Sequence, residues 1–416
     1  MTRIAVIGAG VTGLTTAYEL LDRGFEVTVF DRHRYAAMET SFANGGQLSA
    51  SNAETWTQWG TVLKGLKWML SADAPLLVNP APTIHKIRWM MEFLSNIPSY
   101  KSNTVETVKL AIAARNVLFE MAEREGIDFD LERRGILHFY SKEKDFKHAR
   151  MVNGLLKQGG LDRREVTPGE MRDLEPALHG DFVGGFVTES DSSGDIHKFT
   201  VGLSRACERR GADMRFGTEV NDVTTIEGGV RVVTPLTSET FDGVVVAAGV
   251  RSRSLAKALG DRVNIYPVKG YSITVQLPDA ESQAAAPWIS LLDDRAKIVA
   301  SRFGADRFRI AGTAEFNGAN KDIRADRIQP LVEWCQKHFP GVSTEQVVPW
   351  AGLRPMTPSM LPRVGRGKAK GVFYNTGHGH LGWTLSAATA RLVAESVAAE
   401  FAPRVVRGQA PASAAA

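Results

Sequence analysis

Gly8, Gly10 and Gly13 stand at G-x-G-x-x-G spacing (GAGVTG) directly behind a short apolar run, IAVI at 4–7. An unbroken apolar run of this length reads as a strand buried on both faces. After the glycines, LTTAYELLDRG reads as an amphipathic helix stopped at Gly24. A second strand, EVTVF at 26–30, ends in Asp31. Together these make a β-α-β unit of about thirty residues with an acid closing its second strand. Each residue has a task. Gly8 permits the tight turn, Gly10 lets a pyrophosphate approach the backbone, and Gly13 lets helix pack on strand. The helix N-terminus favours negative phosphates, and Asp31 can accept hydrogen bonds from a ribose. With strand, helix and acid in register, a dinucleotide site is expected rather than a merely structural glycine turn.

The rest of the chain limits the function class. At 416 residues, a prior of about 150 residues per domain suggests two or three units. With 44% hydrophobic and 23% charged residues, the composition is globular and argues against a disordered chain. Two cysteines, Cys207 and Cys335, exclude a disulfide scaffold, a thiolate zinc cluster and a C-x-x-C redox pair. The net charge of +4 is small and spread along the chain. No nucleic-acid partner is expected, because such a face needs clustered Lys and Arg. No segment reaches the uninterrupted apolar length that spans a bilayer, and no cleavable signal precedes the strand starting at Ile4. The expected location is the cytoplasm, with peripheral contact at the inner face of the cytoplasmic membrane left open.

A nicotinamide dehydrogenase would continue directly with more β-α-β units. Here residues 36–55 (AAMETSFANGGQLSASNAET) are small, polar and glycine-containing. Strand-helix signals return only after residue 180. A helix is expected over 195–210, a short strand ending at Val220, and an apolar strand in FDGVVVAAG stopped by Ala248-Gly249. Strand, glycine-rich turn and long helix close the pattern in GVFYNTGHGHLGWTLSAATARLVAESV at 371–397. Dinucleotide-binding pieces from both chain ends suit an FAD domain interrupted by insertions. No second G-x-G-x-x-G marks a nicotinamide site. A small substrate is therefore the expected electron donor.

The Rossmann start, TSFANGGQLSAS at 40–51, KGYSIT at 269–274, GLRPMTP at 352–358 and NTGHGHLGWT at 375–384 carry a resemblance. Over roughly residues 3 to 402 the chain resembles bacterial FAD-dependent D-amino-acid dehydrogenases, within the D-amino-acid oxidase and glycine oxidase group of flavoproteins. The resemblance implies that Gly8, Gly10, Val11, Thr12, Gly13, Asp31 and Arg32 hold the ADP half of FAD. It implies that Thr40, Ser41, Gly46, Gln47 and Leu48 touch the diphosphate and flavin edge. Val220 matches the position whose backbone meets adenine, and Ala248 and Gly249 the strand end that passes the cofactor. Gly379, Leu381, Gly382, Trp383 and Thr384 open the last helix, whose N-terminus would face the flavin C2 carbonyl and N1. Negative charge gathers at that edge on reduction, and a helix N-terminus stabilises it. Some relatives bond the flavin through a cysteine near the C-terminal substrate segment. None follows Cys335 here, so FAD is expected to be non-covalent.

Three residues are the catalytic candidates. Arg354 matches the family's carboxylate-binding position, and a planar guanidinium suits a carboxylate through two parallel hydrogen bonds. Tyr271 either donates to the same carboxylate or is a sheet tyrosine. Lys269 is read as a solvated or cofactor-facing charge. His380 stands where many relatives carry a small residue, and it puts a titratable ring near the substrate. The H-x-H of His378 and His380 alone is poor support for a metal, and none is expected. SMLP at 359–362 also departs from the relatives, which usually carry Asp-Gly there.

The expected fold class is α/β. A discontinuous Rossmann-like FAD-binding domain (1–55, 150–225, 240–260 and 350–402) accompanies a substrate domain with a mixed or antiparallel sheet (56–149, 226–239 and 261–349). A helical insertion is expected at 56–98, and a disordered tail at 403–416. The insertion holds Trp56, Trp59, Trp68 and Trp89, with Trp59, Leu63, Leu66 and Leu70 at helical spacing and basic residues interleaved. It reads as a lid over the substrate, a membrane-surface contact, or both. The implied function is oxidative deamination of D-amino acids to 2-oxo acids and ammonia, with electrons passed to quinone or another acceptor that is not O2. The alternatives are a D-hydroxyproline or D-proline dehydrogenase, a glycine or sarcosine oxidase, and a non-catalytic flavin-binding subunit of a complex.

Overall fold

A computed structural model of the chain describes residues 1–68 and 75–401, so Leu70 and the tail at 403–416 lie outside the described residues. The N-terminal strand Arg3–Ile7 is nearly fully buried and sits inside a six-stranded sheet. It pairs in parallel with Glu26–Phe30 on one side and Gly243–Val246 on the other. Val372–Thr376 adds in parallel beyond Gly243–Val246, and Asp213–Arg215 beyond Glu26–Phe30. Only the edge strand Arg363–Arg366 runs antiparallel. Helices cover the sheet, as parallel pairing requires. Val11–Asp22, Ile196–Arg209 and Gly382–Phe401 pack into one core with Ile4, Val6 and Val29. The helix expected over 195–210 starts at Ile196 because the Asp195 carboxylate caps it, accepting from His197 N at 2.9 Å.

The second sheet is mixed and larger. Its order runs Val347–Met356, Tyr266–Gln276, Arg307–Phe316, Ile298–Phe303, Ser290–Asp293, Ile136–Tyr140, Gly184–Thr188, Arg164–Val166. Leu76–Val78 pairs with Arg307–Phe316 from the side. Helix Ala325–His338 covers its outer face through Leu331, Trp334 and Cys335.

These pairings correct the expected domain limits. Residues 164–188, expected in the FAD-binding part, give two strands to the substrate sheet. Strand Val347–Met356 also belongs there, so the FAD-binding part resumes only after 356. Residues 226–239, expected in the substrate part, lie in a small antiparallel sheet over 222–241. That sheet buries Val223, Val230 and Phe241 against Ala5, Phe30 and Val244. Helix Tyr100–Glu125, likewise expected in the substrate part, packs Val117, Leu118 and Met121 into the FAD-side core. The insertion is not wholly helical, since Leu76–Val78 is a strand between helices Trp59–Trp68 and Ile84–Ser95.

The two sheets meet at one seam. Met356, last residue of the substrate sheet's edge strand, forms a single bridge with His378 of the FAD side. Trp89 donates its indole N–H to the Met356 carbonyl at 2.9 Å, tying the insertion to the same point. His378 is 3% exposed, with Nε2 2.9 Å from Thr389 Oγ1 of the last helix. Burial lowers its pKa from 6.5 to about 3. The unfolded chain protonates this ring near pH 6.5, so between pH 6.5 and about 3 it holds one proton more than the folded chain. Stability from this site is full above pH 6.5 and declines as pH falls, by up to about 1.4 kcal/mol per pH unit. Urea unfolding at pH 7 and pH 5 is expected to show a decline, and His378→Gln to lessen it while the other buried histidines, His138 and His380 among them, keep the remainder.

Candidate active site

The glycine motif is built as its spacing implies. Gly8 has φ +111°, and a Cβ there would lie 2.6 Å from the Ala247 carbonyl oxygen. At Gly13 a Cβ would come within 1.8 Å of the Gly8 carbonyl oxygen, so this glycine serves helix-strand packing and does not line the cavity. Gly10 differs. Its φ is −76°, and a Cβ would meet only Ser41 Oγ, at 3.5 Å. Nothing in the protein itself demands glycine at position 10. A ligand pressed against that backbone does.

In front of Gly8–Thr12 a cavity of about 1220 Å³ runs from Asp31, Arg32 and Val220 at one end to Arg354 and Trp383 at the other. The first amides of a helix lack partners within it. One of them, Val11 N, donates to Ser41 Oγ at 3.0 Å. The Asp31 carboxylate accepts from Ala9 N at 2.7 Å and His33 N at 2.8 Å, which pins it beside the turn. Arg32 lines the cavity but gives its guanidinium to Glu39. Burial opposes ionisation of Glu39, yet hydrogen bonds from Lys321, His33 and Arg32 hold its pKa at about 2. Thr40, Ser41, Ala248, Gly249, Gly379 and Gly382 line the same cavity. The elongated shape, the helix N-terminus in the middle and the acid at one end fit FAD.

A second cavity of about 860 Å³ opens under the substrate sheet, sharing Thr40, Asn44, Arg354, His380 and Trp383 with the first. Gly46, Gln47 and Leu381 line it. Besides Gly13, two expected contacts are absent from both linings. Leu48 is 2% exposed inside the FAD-side core, because strand alternation turns it away from Gln47. Thr384 Oγ1 accepts from Ser49 N at 3.1 Å and so braces the loop instead.

Arg354 dominates the junction. It sits on an edge strand in register with Val268, and its guanidinium lies across Gly270, where a Cβ would come within 2.3 Å. Gly270 is paired with Gly352, and the latter lets the Trp350 ring fold close, 2.1 Å from a would-be Cβ. Arg354 Nη1 donates to the Thr313 carbonyl at 2.9 Å. Thr313 has φ +60° at a bulge where the Tyr266–Gln276 pairing shifts register, which aims that carbonyl. No carboxylate pairs with Arg354 among the described residues. Burial lowers its pKa to about 10, which leaves it a cation at neutral pH.

His380 is stacked on Trp56 at 4.9 Å. Its pKa is lowered to about 4 by burial and by the Arg354 charge, so the ring is neutral. Nε2 lies 3.3 Å from the Asn52 carbonyl and so carries the proton, leaving Nδ1 as an acceptor with no partner. Gln47 Oε1 is likewise buried and unpaired. Two orphan acceptors and an uncompensated cation around one space describe a site for an amino group and a carboxylate.

Tyr271 is among the residues lining the second cavity, but its hydroxyl is engaged away from Arg354. Its hydroxyl donates to Glu315 Oε2 at 2.8 Å, and burial with that contact raises its pKa. Alternation along the strand turns it to the face opposite Gly270, where it packs with Leu331 and Trp334. Lys269 shares that face. It is fully buried, 3.4 Å from Glu315 and 2.7 Å from Asn320 Oδ1, and neither solvated nor cofactor-facing. Both cysteines are buried in the cores, away from either cavity. Sequence reasoning missed Asn52, Lys297 and Trp350. Asn52 and Trp56 flank the motif at 40–51, whereas Lys297, in a turn at φ +55°, and Trp350 reach the cavity only through sheet pairing.

The chain matches the family described as DAO, FAD dependent oxidoreductase, over residues 3–396. It is 61% identical over 404 residues to D-amino acid dehydrogenase 3 of Mesorhizobium japonicum, covering 96% of this chain and 98% of that protein. It is 39% identical over 407 residues to the D-amino acid dehydrogenase of Dechloromonas aromatica, covering 95% and 96%. The crystal structure of glycine oxidase from Bacillus cereus superposes with a TM-score of 0.75 at 22% identity, over 96% of this chain and 95% of that one. The last likeness carries the fold.

Gly10→Ala and Gly13→Ala separate the two uses of the motif. Gly10→Ala is expected to keep its urea midpoint as apoprotein and to lose bound FAD. Gly13→Ala is expected to lose about 3 kcal/mol or more of stability, because a backbone oxygen must move.

Proposed function

The chain belongs to the DAO family of FAD-dependent oxidoreductases, and from that premise we propose that it deaminates D-amino acids oxidatively, as a dehydrogenase. The observation that carries the reading is Arg354, a half-buried cation that pairs with no carboxylate among the described residues, where the two cavities join. Its planar fork binds the substrate carboxylate through two parallel hydrogen bonds. Gly270 leaves room for that fork, and the Thr313 carbonyl fixes its rotation. His380 Nδ1 accepts from the substrate amine, orienting the nitrogen lone pair toward Cα. Neutral at pH 7, His380 positions the amine without adding charge. FAD, held by Gly8–Thr12, Asp31 and the turn before Gly382, supplies the acceptor for the hydride that leaves Cα. The lone pair closes a C=N bond as hydride departs, and water converts the imine to a 2-oxo acid and ammonia. Orientation is the protein's contribution. The roles of the lining residues named above for the ADP half and flavin edge belong to the same reading.

Anaerobic addition of D-alanine, L-alanine, D-proline, glycine and sarcosine tests it. Bleaching of the oxidised-flavin band by D-amino acids is expected. Bleaching by glycine or sarcosine alone would move the function to an oxidase of those substrates, and no bleaching by any would favour a non-catalytic flavin subunit. Arg354→Lys, with flavin content unchanged, is expected to raise KM for D-alanine about 100-fold through loss of the bidentate contact.

Electrons pass, in this reading, to quinone or another acceptor that is not O2, at a membrane surface. No helix among the described residues is long and apolar enough to cross a membrane. Instead, Ile84, Ile87, Met91 and Leu94 form one exposed stripe along helix Ile84–Ser95, with Met91 65% exposed. Exposed Arg88 stands on the same helix, and helix Trp59–Trp68 exposes Trp59, Leu63 and Lys64. An apolar stripe accompanied by basic residues suits an anionic bilayer surface. The inner side of the insertion still works as a lid, through Trp56 on His380. Sedimentation with phosphatidylglycerol vesicles, and not with phosphatidylcholine, is expected, and Ile87→Glu with Met91→Glu should abolish it while bound flavin stays unchanged.

A further inference from the structure

A third cavity, with about 1020 Å³ of empty space, lies between helix Ile84–Ser95 and the loop that follows strand Gly243–Val246. Val250 and Arg251 line both this space and the cofactor cavity, so a wall one residue thick separates them. Four basic side chains, His85, Lys86, Arg251 and Arg253, line it, and no acidic one does. Arg251 pairs with Glu219. Lys86 is 6% exposed and donates to the carbonyls of Asn79 and Ala81. Neither Lys86 nor Arg253 has a carboxylate partner among the described residues. Tyr266 and Phe316 give the space a stacked aromatic wall, with centroids 5.6 Å apart, and His85 tilts against Tyr266 at 5.2 Å. The oxidation of substrate uses none of this.

We propose that this third cavity binds the headgroup of a lipid quinone and is the site where electrons leave the enzyme. The inference rests on the dehydrogenase reading above and assigns its acceptor a place. A quinone ring is flat and apolar, with two carbonyl oxygens that only accept hydrogen bonds. Aromatic walls suit the ring, and donors without competing acids suit the oxygens. Developing negative charge on those oxygens is stabilised by Lys86 and Arg253, which pair with no carboxylate among the described residues. His85 and Lys86 stand on the same helix as exposed Ile84 and Ile87, so the cavity opens beside the stripe that would meet a bilayer. A lipid-borne acceptor can reach it from there without passing through the substrate cavity. The transfer balances: two electrons and one proton from the reduced cofactor, with one proton from solvent, convert the quinone to its quinol and restore oxidised FAD.

Photolabelling of the holoenzyme with an azido-substituted short-chain ubiquinone, mapped on peptides, tests the site without turnover. Label is expected within 79–86, 250–254 or 316–319, and an excess of decylubiquinone should suppress it. Label confined to the substrate cavity, or none that the competitor removes, would overturn the proposal. Ala319→Trp, which fills the cavity from its exposed rim, should raise KM for decylubiquinone about tenfold. Its anaerobic flavin reduction by D-alanine should match that of the parent. An unchanged quinone KM would also count against the site. If the label falls in the third cavity but no D-amino acid bleaches the flavin, the substrate reading fails and the quinone site stands.

Discussion

A guanidinium is held half-buried where two sheets meet, and among the described residues no carboxylate pairs with it. Placing such a charge away from water is unfavourable unless something compensates, and here one backbone carbonyl does so only in part. Much of the surrounding geometry makes that arrangement possible. Gly270 and Gly352 stand opposite each other so that the Arg354 fork and the Trp350 ring can lie flat on the sheet. A bulge with Thr313 at positive φ turns a carbonyl toward the fork. A site kept in this condition is prepared for an anion. A carboxylate bound there would restore the charge balance where the cofactor cavity ends.

One bridge between the two sheets also frames the site. Met356 bridges to His378, two residues beyond Arg354 on one side and two before His380 on the other. Trp89 bonds to the Met356 carbonyl, and Trp56 stacks on His380. The insertion therefore touches the junction of the two cavities through Trp56 and Trp89. Loop 47–51 is fixed from beneath, since the buried Asp191 carboxylate accepts from Ala50 N and Ser51 N, each at 3.0 Å, and pairs with Arg115. Rigid supports of this kind hold the reacting groups in place before substrate arrives.

The N-terminal unit was legible almost to the residue. Its strand, helix and closing acid interact within a single stretch, so spacing alone carries the geometry. The same holds for the turn and helix after Thr376. The position of Arg354 on the cavity lining agrees with its motif, whereas the contact of Tyr271 with Glu315 was not readable. KGYSIT does not say which face of the strand looks at the cofactor, and one step of alternation sends Tyr271 to Glu315. Domain limits failed for a related reason. Short strands such as Arg164–Val166 carry no mark of the sheet they will join.

What the sequence by itself determined was therefore local: a dinucleotide cradle, a helix N-terminus aimed at phosphates, and an arginine suited to a carboxylate. These depend on residues a few positions apart, whose mutual placement follows from backbone sterics. Tertiary structure alone decided that Arg354 would have no carboxylate partner among the described residues, that His380 would be neutral, and that Lys297 and Trp350 would line the second cavity. Burial and charge pairing arise from contacts between segments hundreds of residues apart. A pKa or an unpaired cation is a property of that assembled environment, and no single stretch of chain encodes it.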